Sequence, residues 1–164
     1  MVSAGGFLVL TLTSRGCVLK IESSEMQVVY TFITHPTLEQ VQGILDLYRL
    51  QGWWEPPGAH DLEMVGAIIR GSHCFVIASH EGRLVGMGRA ISDRVSDAYI
   101  QDLAVQPAFR GKGIGTGIVN ELVGRLRLDG LVWIGLVAEA GTWDFYKKAG
   151  LAEMPGSILM LKRN

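Results

Sequence analysis

The sequence predicts an α/β fold in a single domain, with a mixed, mostly antiparallel central sheet and helices on both faces. Short β-branched and apolar runs alternate with stretches of helical periodicity, the pattern of a sheet layered with helices. Three of those runs follow one another with only brief polar breaks, as antiparallel neighbours do. The chain has 164 residues, 48% hydrophobic and 19% charged, enough for a sizeable core and too apolar for disorder.

Val28 to Ile33, β-branched and aromatic, reads as the first strand of that sheet. Thr37 and Gln40 fit a capping box, and Leu38, Val41, Leu45 and Tyr48 then recur at helical spacing. Gly52, Trp53, Trp54, Glu55 and Pro56-Pro57-Gly58 make residues 51–60 a loop. Asp61 caps a second helix with Leu62, Val65, Ile68 and Ile69 on its apolar face, and Gly71 ends it. Cys74–Ser79 and Leu84–Ser92 flank a Glu81-Gly82 turn as a hairpin, and a third run from Ser96 or Asp97 to Val105 lies beside them. A long helix from about Gly113 to Asp129 sets Ile114, Ile118, Leu122 and Leu126 on one face, with Gly130 as its C-cap. Leu131–Ala138 is nearly all apolar, as a strand buried on both faces would be. A short helix from about Thr142 to Ala149, a Pro155-Gly156 turn and a last strand, Ile158–Leu161, complete the domain of residues 28–164. Residues 1–27, with Gly5-Gly6 and the turn-like Ser14-Arg15-Gly16, read as an extra hairpin or a loosely attached arm.

A net charge of −1 gives no expectation of a nucleic-acid partner, although it leaves room for a local basic patch facing one small anion. Cys17 and Cys74 stand far apart and in no metal-ligand spacing, so they read as free thiols of a cytoplasmic protein, with no metal site. The Phe7–Leu10 run lacks a basic segment before it and is too short to span a bilayer, so neither a secretory signal nor a membrane association is expected.

The informative segment runs from Leu103-Ala104-Val105 through Gln106-Pro107 to Arg110-Gly111-Lys112-Gly113-Ile114-Gly115-Thr116-Gly117. Glycines at 111, 113, 115 and 117 separate a strand from an amphipathic helix, where backbone amides and the positive end of the helix dipole meet an anion. Arg110 and Lys112 add positive charge there, so a pyrophosphate is the natural guest. A P-loop would need Ser or Thr after its lysine, and here Lys112 precedes Gly113. The dinucleotide fingerprint counted from Gly111 or Gly113 meets Thr116 or Ile118 where its last glycine belongs. A third pattern, Arg/Gln-x-x-Gly-x-Gly/Ala after a strand ending in Val-x-Pro, is met by Arg110, Gly113 and Gly115 after Val105-Gln106-Pro107.

On those residues the chain resembles the GCN5-related N-acetyltransferase (GNAT) superfamily over roughly residues 28–164. The resemblance implies acetyl-CoA as co-substrate, its pyrophosphate on the amides of Gly111, Gly113, Gly115 and Thr116. It also implies that Leu103, Ala104 and Val105 pair through their backbone with the pantetheine arm. The thioester would lie in a gap where Tyr99–Val105 and Leu131–Ala138 splay apart.

Glu139 through Leu151, containing Phe145-Tyr146 and ending Ala149-Gly150-Leu151, looks like the family's second signature, with Glu139 where Asn is frequent. Aminolysis of a thioester needs a neutral amine, a donor for the developing oxyanion and a proton for the leaving sulfur. A tyrosine (pKa about 10) is still protonated where a thiol (about 8.5) has ionised, so it can donate. Tyr146 matches that family position and otherwise packs the short helix on the sheet; a backbone N–H near Leu103 is the implied oxyanion donor. Asp102, a charge inside the apolar run Ile100–Val105, either takes the amine's proton, directly or through water, or serves structurally, as in a salt bridge to an arginine. Glu139 and His73 are rivals for the base. Trp53, Trp54 and Glu55 form either an acceptor pocket, with Glu55 holding an ammonium, or simple packing beneath the loop.

The expected function is acetyl transfer to the primary amine of a small molecule. Acetylation of a protein lysine or N-terminus, or acyl-CoA binding without catalysis, are the alternatives. Exposed sheet edges near the last strand allow a homodimer.

Overall fold

The computed structural model describes residues 7–13, 16–22, 26–54 and 57–162. Gly5-Gly6, Ser14-Arg15 and Glu55 lie outside the described residues. Strands β1 (Phe7–Thr13) and β2 (Gly16–Glu22) pair antiparallel as a two-stranded sheet of their own, Phe7 opposite Glu22. Among the described residues the main sheet has five strands: β3 (Val29–Phe32), β4 (Cys74–His80), β5 (Arg83–Ser92), β6 (Asp97–Val105) and β7 (Trp133–Leu136). They lie in the order β3-β4-β5-β6-β7, antiparallel except for the parallel β6–β7 pair.

Among the described residues there are four α-helices: α1 (Leu38–Leu50), α2 (Asp61–Gly71), α3 (Ile114–Leu128) and α4 (Trp143–Lys148). The capping box at Thr37 and Gln40 forms as expected, each side chain bonding the other residue's backbone N–H. Asp61 is not the N-cap of α2. It is the first helical residue, and its carboxylate accepts from Arg49 Nη2 at 2.8 Å and the Gly58 amide at 3.0 Å, tying α2 to α1.

Side-chain alternation gives the sheet two apolar faces. Phe75, Ile77 and Met87 pack beneath Ile44, Leu45, Val65 and Ile69 of α1 and α2. Cys74, Val76, Ala78, Ala90, Ala98 and Ile100 pack beneath Ile118, Leu122 and Leu126 of α3. Glycines in β5 bring α3 close: a Cβ at Gly88 would stand 2.6 Å from Ile118 Cγ2 and 3.1 Å from Leu122 Cδ1.

Two expectations fail at one edge. The 131–138 run is a strand only over Trp133–Leu136, and Val132 and Val137 are exposed. Residues 158–161 follow the turn at Pro155-Gly156 but form no strand, and Ile158, Leu159, Met160 and Leu161 are all exposed. The two failures share a cause. Among the described residues β7 pairs only with β6, so it is an edge strand instead of one buried on both faces. Among the described residues, no helix is long and apolar enough to cross a membrane.

Gly88→Ala forces a methyl into the α3 interface, where Ile118 is fully buried and branched close to its backbone. Overpacking of this kind costs about 1–3 kcal/mol, and calorimetry should record a fall in Tm of several degrees.

Candidate active site

A parallel pair that separates partway along its length leaves one strand with unpaired backbone. Pairing of β6 with β7 stops at Ile100–Leu136, while β6 continues to Val105. Beyond the split a cleft of about 960 Å³ opens, with Ile100–Val105 on one side and Val137, Glu139 and α4 on the other. The start of α3 and Trp53 also line it.

The cradle is built by two left-handed residues, Gly111 at φ +73° and Gly113 at φ +82°. Side-chain-bearing residues rarely adopt that backbone, and a Cβ at either position would meet nothing within 4 Å. Gly113 is the N-cap of α3 and has no side chain to cap with. The first intrahelical amide is that of Gly117, donating to the Gly113 carbonyl at 2.9 Å, so the amides of the first turn are left for another acceptor. Phe145 of α4 presses on Gly115, where a Cβ would come within 3.2 Å of the ring. Free first-turn amides at an open, glycine-lined helix start, next to a strand edge that has lost its β7 partner, fit a pyrophosphate-bearing ligand with an amide-containing arm.

Of the residues expected at the site, Trp53, Asp102, Leu103, Ala104, Val105, Arg110, Gly111, Gly113, Ile114, Gly115, Thr116 and Tyr146 line the cleft. Arg110 is braced, its Nε on the Val105 carbonyl and its Nη2 on Gln51 Oε1, both at 3.0 Å. Lys112 is not in the lining; its ammonium sits over the Phe109 ring at 5.1 Å. Nor is Trp54, which stacks on Tyr48 with centroids 4.5 Å apart and packs against the α1–α2 core. His73 is elsewhere, bonded to Ser92 and Asp129 through its two ring nitrogens.

Asp102 has φ +53°, at a bulge where Met87 faces Ala104 and Arg89 faces Gln101, so Gly88 spans two residues of β6. Its Oδ2 accepts from Arg89 Nε at 2.5 Å and from the Tyr48 hydroxyl at 2.7 Å. Sequence reasoning allowed for an arginine partner but named neither residue. Tyr48 passed as one more apolar position of α1, and the arginine allowed for as a salt-bridge partner of Asp102 was not identified as Arg89. Burial, and then Asp102, push the Tyr48 phenol well above its ordinary range. For Tyr146, burial and then Glu139 raise the phenol's pKa.

Similarity to known proteins follows the same residues. Residues 38–151 match the model of the acetyltransferase (GNAT) family, and the chain belongs to that family. It is 29% identical over 145 residues to histone acetyltransferase TAP1 of Glycine max, covering 74% of this chain and 60% of that protein. It is 37% identical over 81 residues to the chloroplastic serotonin N-acetyltransferase 2 of Oryza sativa subsp. japonica, covering 49% of this chain and 40% of that protein. Among solved structures, a GNAT-family acetyltransferase of Streptococcus pneumoniae superposes with a TM-score of 0.65 at 22% identity, over 84% of this chain and all of that one.

The raised Tyr146 pKa has a checkable sign. The neutral phenol is favoured by folding, so its stabilisation is complete below about pH 10 and is lost as pH climbs through the raised value. Tyr30 and Tyr48 are raised as well, so an ultraviolet difference titration should show several ionisation steps above pH 10, one of which disappears in Tyr146→Phe.

Proposed function

We propose that this chain transfers an acetyl group from acetyl-CoA to the primary amine of a small molecule, by direct attack of the amine on the thioester. The observation that carries this is the split of β6 from β7 onto the open first turn of α3. The amides of Gly111, Gly113, Gly115 and Thr116 would hold the pyrophosphate, and the unpaired backbone of Leu103–Val105 would take the pantetheine arm as an added strand. When bound, acetyl-CoA supplies the activated acyl group. Tyr146, kept neutral by burial, donates a proton to the departing sulfur. A backbone N–H near Leu103 meets the charge that develops on the carbonyl oxygen. The amine's proton leaves to a cleft carboxylate, Asp102 or Glu139, directly or through water.

A small acceptor is favoured by Trp53 and Tyr99, two rings that line the same cleft as those carboxylates, a setting for an apolar amine with a cationic head. Likeness to a serotonin N-acetyltransferase points the same way. The soybean relative's name favours the other reading, a protein lysine. A paired screen of arylalkylamines and lysine peptides separates the two: turnover of peptides alone would replace the small-molecule acceptor.

Thermal unfolding with acetyl-CoA, NADH and ATP tests the cofactor. At one hundred times its Kd, acetyl-CoA should add about 2.7 kcal/mol, a rise of roughly 5–10 °C for a chain of this size. Gly113→Asp, which puts a carboxylate and an unfavourable backbone into the cradle, should abolish the shift. No shift at millimolar acetyl-CoA would overturn the proposal. Tyr146→Phe should lower kcat about 100-fold or more while leaving acetyl-CoA affinity within a few-fold.

A further inference from the structure

We propose that Asp102 is a positioning residue: Arg89 and Tyr48 hold its carboxylate so that the β6 bulge keeps its backbone turned to the cleft. This rests on the transferase reading above and assigns the second role to that site, leaving the amine's proton to Glu139 or water.

Three observations converge. Asp102 is one of three non-glycine residues with positive φ among the described residues, and the only one of them inside a strand. A side chain there is disfavoured unless its surroundings impose the conformation. Next, α1 and β5 each send one donor to the same oxygen, Tyr48 at 2.7 Å and Arg89 at 2.5 Å. Arg89 also places Nη2 on Gln101 Oε1 at 2.9 Å, so it grips β6 at both residues beside the register shift. Finally, Tyr48 has no freedom of its own. It is 2% exposed, stacked on Trp54 and edge-on to Trp53. A carboxylate bound from two neighbouring elements on one oxygen is arranged to be held still. The bulge it fixes lies where β6 has lost β7 as a partner, and Gln101 to Val105 around it line the cleft proposed for the thioester.

The test compares Asp102→Gly with Asp102→Ala. Glycine adopts the left-handed backbone unaided, whereas alanine neither favours it nor keeps the carboxylate. With phenethylamine as the probe amine, Asp102→Gly should retain at least tenfold more kcat than Asp102→Ala, with an unchanged pH profile and similar KM for acetyl-CoA. If glycine is as inactive as alanine and the acidic limb of the kcat/KM profile is lost, Asp102 is the base and the proposal fails. Tyr48→Phe preserves the aromatic stack and removes only the hydroxyl, so it tests the network in a folded protein. Amide hydrogen exchange at residues 102–104 should quicken at least fivefold in that variant; unchanged exchange overturns the proposal. That arm needs neither cofactor nor acceptor. An absent acetyl-CoA response in the unaltered protein would sink the transferase reading, while the exchange arm still decides what holds the bulge.

Discussion

Two parallel strands cannot be joined by a tight turn, and this constraint organises the molecule. The chain leaving β6 at Val105 must travel back along the sheet before it can run parallel as β7, and α3 is that return path. A helix used in this way starts beside the end of the first strand. Its free amides therefore open at the same end of the sheet where β6 and β7 separate. Close packing over Gly86 and Gly88 fixes the helix on the sheet, and Tyr30 of β3 lies directly over Gly117. The cradle is thus held by the sheet below it as well as by its own glycines.

The loop that carries Trp53 to the cleft is organised by α1. Its last turns carry Tyr48 and Arg49, one tied to the bulge in β6 and the other to the start of α2. The loop between the helices is anchored at both ends in consequence, which lets Trp53 stand at the cleft while Trp54 packs beneath. Adjacent residues of identical chemistry take opposite roles because consecutive side chains in an irregular loop point in different directions.

Much of this was legible in the sequence because it is local. The capping box at Thr37 needs only residues three apart, and the cradle announces itself by alternating glycines after Val105-Gln106-Pro107. What could not be read depends on distant partners. Leu131–Ala138 and Ile158–Leu161 have the composition of buried strands, yet burial needs a neighbour that composition does not supply. Lys112 has the right charge at the right place, but its ammonium is drawn to Phe109. Asp102 was conspicuous as a charge in an apolar run; its partners, 54 and 13 residues away, were not. One signal was available. The spacing of apolar residues along β6 changes at Asp102, with Ala98 and Ile100 before it and Leu103 and Val105 after it.

That change of spacing has a consequence for how the two layers share one strand. Ala98 and Ile100 belong to the α3 side of the sheet, but Ala104, of the same parity, belongs to the α1–α2 side, and Leu103 and Val105 pack with α3. The extra residue at the bulge exchanges odd for even. Remove it, and every side chain from there to the cradle is assigned to the wrong layer, small Ala104 against α3 and branched Val105 beneath α1. The strand's residue count is therefore as much a part of the fold's specification as its composition. A one-residue deletion in β6 amounts to a rewriting of both cores at once.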